Sequence, residues 1–194
     1  IKRHGGPGMP LPTRSESWQP PKHLFCYAYS PSLIPRPNDW PANIHVPGCL
    51  YLPEPPGWEP PPALTDFLAS GPAPVYMGFG SMRSERPAET AELVLEALRR
   101  TGLRGVLHRG WGGVEPADVP DSVLLVESVP HYWLLPRMAA VVHHGGAGTT
   151  AAGLRAGIPS VLVPHFADQP FWGKADFQAG VRPTHLQRTR LSLA

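Results

Sequence analysis

The sequence predicts an α/β protein: a Rossmann-like parallel sheet with helices on both faces, preceded by a proline-rich segment. Three observations lead there. From Ala63 onward, short apolar runs alternate with stretches of helical period, as strands alternate with crossover helices in a parallel sheet. The runs lead into polar or glycine-rich junctions, Gly80-Ser81, Gly110-Trp111, His144 and Asp168-Gln169, and such sheets bind ligands beyond the carboxyl ends of their strands. By contrast, 16 of the 27 prolines precede Ala63, and proline fixes φ and removes an amide donor.

Residues 1–62 are therefore expected to hold little regular structure. Ile1 to Pro21 reads as a loop, and two strand-like pieces, His23 to Ser30 and Ile44 to Leu52, are divided by Pro31 to Pro41. In residues 63–194 the elements follow in order. Leu64 to Ser70 is a short helix stopped at Gly71, and Pro74 to Phe79 is the first central strand. Pro87 opens a helix that runs to Arg100, with Gly102 just past its end. Its Ala91, Val94, Leu95 and Leu98 share one face, while Glu89, Glu92, Glu96 and Arg99 face water. Strands follow at Arg104 to His108 and Val123 to Val126, with a short helix at Tyr132 to Met138. A strand at Ala139 to His143, a glycine turn, a helix from about Gly148 to Ala156 and a strand at Ser160 to Val163 come next. The last element is a helix beyond Asp168.

The glycine turn carries the chemistry. Gly145, Gly146 and Gly148 let backbone amides approach a ligand closely, and a helix opening at Gly148 points its unpaired amides and partial positive charge at the same place. Thr149 and Thr150 add hydroxyls and His144 an imidazole, which together make an anion site suited to phosphate. The bland reading, a packing turn, accounts for one or two glycines but not for three beside a His and a Thr pair. His143 reads as structural. Gly146-Ala-Gly-Thr-Thr-Ala151 also satisfies G-x-G-x-x-A, with Asp168 about 20 residues on. Yet a ribose-binding acid belongs at a strand end, and Asp168 lies past Val163 in a loop.

His143-His-Gly-Gly-Ala-Gly-Thr-Thr150, Ala156-Gly-Ile-Pro159 and Asp168-Gln169 resemble the donor-binding signature of family 1 glycosyltransferases, nucleotide-sugar enzymes of GT-B fold. Tyr76-Met-Gly-Phe-Gly-Ser81, Gly110-Trp-Gly-Gly113, Val129-Pro-His-Tyr-Trp-Leu134 and Asp39-Trp-Pro41 resemble the sterol 3-beta-glucosyltransferase branch. The similarity runs from about Leu24 to Val181. It implies that residues 63–194 are the C-terminal, donor-binding domain, and that residues 1–62 are the tail end of the acceptor domain with Pro53 to Pro62 as linker. By the same resemblance Ser81, His144, Gly146, Gly148 and Thr149 meet the donor phosphates, and Val129 and His131 flank the base. Trp111 stacks on the base or packs, and Ser81 also suits a helix N-cap. Asp168 and Gln169 hold sugar hydroxyls, a carboxylate accepting and an amide doing both, although Asp168 also suits an N-cap.

The implied reaction is transfer with inversion of a sugar, glucose from UDP-glucose by preference, to the hydroxyl of a sterol-like or other apolar acceptor. No cofactor or metal is expected: fixed donors stabilise the leaving diphosphate, and no aspartate pair stands at metal-binding spacing. Two departures bear on the nucleotide. Ser128 stands where plant members carry a stacking Trp, and Ala152 where they carry a ribose-binding Glu, which keeps dTDP-linked sugars open. The family's general base belongs to an N-terminal domain that this sequence does not contain, and His4 matches nothing catalytic. Ile1 in place of Met and the stop at Ala194 add to the expectation of a fragment that binds donor but transfers little or nothing alone. The alternatives are a non-catalytic nucleotide-sugar-binding module and the donor subunit of a split enzyme.

Composition agrees with a folded domain. Hydrophobic residues make up 42% and charged residues 16%, with a net charge of +2, too mild for a nucleic-acid partner. No apolar run reaches the ~18 residues of a membrane helix and no signal peptide is visible; a peripheral membrane contact stays open. Cys26 and Cys49 lack metal spacing and read as free thiols of a cytoplasmic protein, with a disulfide as the other option.

Overall fold

The computed structural model describes residues 23–52, 54–79, 87–108, 119–165, 167–178 and 180, the side chains of 87–91, 176 and 177 excepted. The expectations placed on Ile1 to Pro21, Ser81, Gly110-Trp111 and the side chains of Glu89 and Ala91 lie outside these residues. Two compact units divide between Tyr51 and Leu52, so the expected linker Pro53 to Pro62 falls within the second.

In the first unit the strand-like pieces shrink to β1 (Phe25–Cys26) and β2 (Ile44–His45), a parallel pair. The expected strands were longer; the prolines between them keep the backbone off a ladder, and Arg36 gathers the carbonyls so stranded. Its guanidinium donates to the carbonyl oxygens of Ile44 (3.1 Å), Trp40 (2.7 Å) and Pro41 (2.9 Å). Cys26 and Cys49 are both free thiols.

The second unit opens with α1 (Pro62–Ala69), which has proline in its first turn, where a missing amide costs nothing. Then come β3 (Val75–Gly78), α2 (Pro87–Thr101), β4 (Gly105–His108) and β5 (Val123–Val126). After α3 (His131–Leu134) and a 3-10 turn at Leu135–Arg137 follow β6 (Ala140–His143), α4 (Ala147–Ala156), β7 (Ser160–Leu162) and α5 (Gln169–Gln178). The single helix expected at Tyr132 to Met138 is thus broken in two, because Pro136 sits inside it without an amide to donate.

All five strands of the main sheet are parallel, in the order β5-β4-β3-β6-β7. Both faces are covered. Val75, Met77 and Phe79 join Val94 and Leu98 of α2 in one apolar cluster, whereas Tyr76 points the other way, among Leu64, Leu134, Leu135, Val141 and Ala152. Strand β3 is therefore buried on both sides, as a central parallel strand must be. The helical face expected of α2 is confirmed at Val94 and Leu98, which are buried, while Arg99 and Arg100 hold Glu96 on the outer surface. The strand order sets the position of the site: the chain moves outward from β3 through β4 to β5, then returns to the opposite side of β3 for β6 and β7. That reversal leaves a crevice at the carboxyl ends of β3 and β6, the usual ligand position in an open α/β sheet.

Candidate functional site

Gly78 of β3 and His143 of β6 are register partners at the mouth of this crevice. His143 is fully buried, and its Nδ1 accepts a hydrogen bond from the Gly145 amide at 3.1 Å, so it holds the turn, in keeping with the structural role read from the sequence. Gly145 turns the chain with φ of 88°; a Cβ there would lie 2.9 Å from Leu162 Cδ2 and 3.3 Å from the Gln169 carbonyl oxygen. Gly146 leaves space for a different neighbour, since its Cβ would collide with Nε2 of His144. The two glycines therefore let the turn lie tight on the start of α5 and give the His144 ring its place.

Helix α4 begins without a cap. Gly146 occupies the N-cap position with no side chain to bond the first amides, and the first helical hydrogen bond runs from Thr150 N–H to Gly146 carbonyl, 3.0 Å. The amides of Ala147, Gly148 and Thr149 precede it, and a helix of 10 residues adds its dipole to them. The helix starts one residue earlier than expected, with Gly148 inside its first turn. Of the threonine pair, Thr149 is half-buried, and Thr150, 3% exposed, lies in the interior with its Oγ1 unpartnered among the described residues.

His144 stands between the turn and β3. Burial lowers its pKa, while a hydrogen bond with the Gly78 backbone and the charge of Asp168 pull it upward. Its Nδ1 is buried and meets no partner among the described residues, an arrangement that is costly unless something from the crevice bonds to it. With one ring N–H given to the Gly78 backbone, Nδ1 is an acceptor while the ring is neutral and a donor to an anion once the ring is protonated.

His131, the first residue of α3, sits across the crevice. Its Nε2 lies 3.3 Å from the Tyr76 hydroxyl, whose own pKa burial pushes up. Burial lowers the pKa of His131, and the neighbouring charges of His108 and His144 lower it further. His108, at the end of β4, is also shifted down by burial, against a hydrogen bond with the Glu127 backbone. Three imidazoles from three junctions thus share one edge of the sheet, and the sequence reading missed His108 and Tyr76; the position of His108 at a strand's end was the available signal. Val129 packs against the core. Ala152 is buried at 3% exposure.

Asp168 and Gln169 part company. Asp168 is exposed and its Oδ2 accepts from the indole N–H of Trp172 at 2.7 Å. Gln169 is 5% exposed, and its Oε1 accepts from the His165 amide at 2.7 Å. The sequence reading put both on sugar hydroxyls; the structure commits the Gln169 oxygen to a backbone amide left over between β7 and α5. Asp168 also does not cap α5 with its carboxylate: its backbone carbonyl takes the first helical bonds, from Phe171 and Trp172. Among the described residues no group of three His, Cys, Asp or Glu could hold a metal ion, and no helix is long and apolar enough to cross a membrane.

Comparison with known proteins gives these features a family. Residues 111–194 match the family described as Erythromycin biosynthesis protein CIII-like, C-terminal domain. A sterol 3-beta-glucosyltransferase of Arabidopsis thaliana is 48% identical over 168 residues, 86% of this chain and 26% of the relative. The O-mycaminosyltylonolide 6-deoxyallosyltransferase of Streptomyces fradiae is 46% identical over 87% of this chain and 39% of its own length. Among solved structures, the glycotransferase of kitacinnamycin superposes with a TM-score of 0.68 at 21% identity, over 88% of this chain and 43% of that one. Arabidopsis thaliana UGT89C1 complexed with UDP gives 0.59 at 21% identity, over 75% and 38%. The glycosyltransferase VinC in complex with dTDP gives 0.53 at 26% identity, over 66% and 32%.

The parallel sheet with its glycine turn is the fold of the C-terminal domain of a GT-B glycosyltransferase. Within that class, residues 111–194 carry the EryCIII-like C-terminal domain, and 86% of the chain is similar to a sterol 3-beta-glucosyltransferase. The chain spans about a quarter of the Arabidopsis relative, 26%.

Proposed function

We propose that this chain binds a nucleotide sugar, UDP-glucose by preference, and forms the donor half of an inverting glycosyltransferase that acts on a sterol-like or other apolar alcohol. One observation carries the reading: at the switch point the bare first turn of α4 follows within three residues of His144, whose buried Nδ1 has no partner among the described residues. In use, the diphosphate lies on the amides of Ala147, Gly148 and Thr149, and its negative charge draws a second proton onto His144, whose Nδ1–H then donates to it. As the bond between anomeric carbon and phosphate opens, charge grows on the leaving diphosphate, and these fixed donors stabilise it without reorganising. Asp168 accepts hydrogen bonds from sugar hydroxyls. Val129 and His131, at the β5–α3 junction, border the base.

The reading is metal-free, so chelator leaves nucleotide affinity unchanged. It assigns deprotonation of the acceptor to residues outside this chain, which alone binds donor and transfers little. With two free thiols, we place it in the cytoplasm. The sugar and nucleotide preference rests on the sterol glucosyltransferase resemblance; dTDP sugars are the competing donors.

The test is thermal denaturation with UDP, UDP-glucose, dTDP or NAD at about 100 times the dissociation constant, which adds ~2.7 kcal/mol. For a chain of this size that is a shift of about 5–10 °C. A shift with UDP and UDP-glucose but not NAD is expected. A shift with NAD alone would replace the reading with a dinucleotide site.

A further inference from the structure

Asp168 is an exposed residue on the turn that leads into α5, where a short side chain ordinarily samples several rotamers. Here it does not swing free. Its Oδ2 accepts the Trp172 indole N–H at 2.7 Å, one helical turn along, and its Oδ1 accepts nothing among the described residues. The Trp172 ring is itself held, half-buried, with the Phe171 ring edge-on at 5.4 Å and 74°. On the other side of Asp168, Gln169 is anchored through Oε1 to the His165 amide, and its backbone carbonyl lies close over the Gly145 turn. The carboxylate is thus clamped at one oxygen, with the other left to accept, beside an anchored backbone. An indole N–H only donates and its ring has few rotatable bonds, so it can fix a carboxylate's plane without competing for the hydroxyls of a ligand. Such preorganisation reduces the ordering cost of binding.

We propose that Trp172 is a positioning residue: its indole N–H holds the Asp168 carboxylate so that the free oxygen meets a sugar hydroxyl of the donor. This rests on the donor-site reading above and deepens it. Trp172 touches neither sugar nor phosphate in this arrangement; it acts through Asp168. The sequence carried a trace of it, since Asp168 and Trp172 stand four apart at the start of a helix, neighbours on one face.

The experiment is calorimetric titration of UDP and UDP-glucose into the wild-type chain, Trp172→Phe, Asp168→Ala and the double variant. Phe keeps the ring and removes only the N–H. Trp172→Phe is expected to bind UDP as the wild type does and to lose ~5-fold or more in UDP-glucose affinity, the scale of a hydrogen bond to a charged group. In the Asp168→Ala background the same substitution is expected to change nothing, because the group it positions is gone. An unchanged UDP-glucose affinity in Trp172→Phe, with Asp168→Ala impaired, would overturn the proposal and leave the donor site standing. Equal losses for UDP and UDP-glucose in Trp172→Phe would also overturn it, in favour of packing. If the wild-type chain bound neither ligand, the donor-site reading itself would fail.

Discussion

Helix α4 begins on three bare amides; helix α5, which leaves the neighbouring strand on the same sheet edge, begins beside a carboxylate clasped by an indole. Both starts follow a parallel strand and both carry the positive end of a helix dipole. They differ in what the sequence sets there. Gly146 at α4 has no side chain to satisfy the amides, so the first turn offers donors to an anion. At α5 the exposed Asp168 carboxylate is bound to Trp172 and offers an acceptor. A diphosphate wants donors and a hexose offers hydroxyls, so on the proposed reading the two starts divide a nucleotide sugar between them. The contrast teaches that fold supplies the position of a site while the residue just before each helix supplies its polarity.

The strongest way to break the comparison is through Gly145, whose turn touches both starts. Gly145→Val forces a β-branched residue to φ near 88° and drives its Cβ against Leu162 and the Gln169 carbonyl. Left-handed backbone and overpacking together are expected to cost ~3 kcal/mol, a fall in Tm of roughly 6–12 °C, with loss of both UDP and UDP-glucose binding. An unchanged Tm would mean that the turn does not join the two helix starts.

Smaller and more selective effects follow at the two ends. His144→Ala removes a donor to a charged group and should weaken UDP and UDP-glucose alike, by about 10- to 100-fold. Asp168→Ala should weaken UDP-glucose ~10-fold and leave UDP within about twofold. Titration of both ligands into both variants checks the division. Parallel losses for the two ligands in Asp168→Ala would erase it.

Acid should blur the contrast next. Burial lowers the pKa of His108, His131 and His144 below the ordinary 6.5. Around them stand the Glu127 backbone at His108, Tyr76 at His131, and the Gly78 backbone and Asp168 at His144. Because each is more readily protonated when unfolded, the unfolded chain takes up more protons as pH falls. Stability is therefore full above about pH 6.5 and declines below it, until each folded pKa is passed. The slope per proton is at most ~1.4 kcal/mol per pH unit. Melting curves between pH 8 and 5 test the sign; a Tm that rose on acidification would contradict the buried neutral histidines.

Much of this was legible in the chain. The alternation after Ala63 forecast the sheet, and the glycines forecast the tight turn that opens α4 without a side-chain cap, because both depend on local pattern and on the special freedom of glycine. What escaped depended on tertiary partners. Asp168-Gln169 reads as a matched polar pair, but the spare amide of His165 draws Gln169 inward, and no local pattern announces a spare amide. The long strands expected at residues 23–30 and 44–52 shrink to two residues each beside Pro31 to Pro41 and Pro47, because prolines bring no amide to extend the ladder. Pro136 is plain in the sequence, and without an amide to donate it divides the helix before β6 in two. His108 was placed at a strand's end, yet only the strand order brings it beside His131.

The smallest expected effect tests whether the strain at the start of α5 serves the site. Ala167 holds φ of 56°, a left-handed conformation that costs a residue with a Cβ about 1–2 kcal/mol. Ala167→Gly removes that cost but frees the unfolded chain by about 0.4–1 kcal/mol. The net expectation is a gain of roughly 0.5–1 kcal/mol and a Tm higher by about 1–4 °C. Strained residues persist where the surroundings over-determine them, and here Gln169 buried under the Gly145 turn does so. A freer residue before Asp168 should leave UDP affinity unchanged and weaken UDP-glucose by about twofold, since some of the carboxylate's fixed direction is lost. If stability rose and neither affinity moved, Ala167 would be the cost of burying Gln169, and the direction of Asp168 would depend on Trp172 alone.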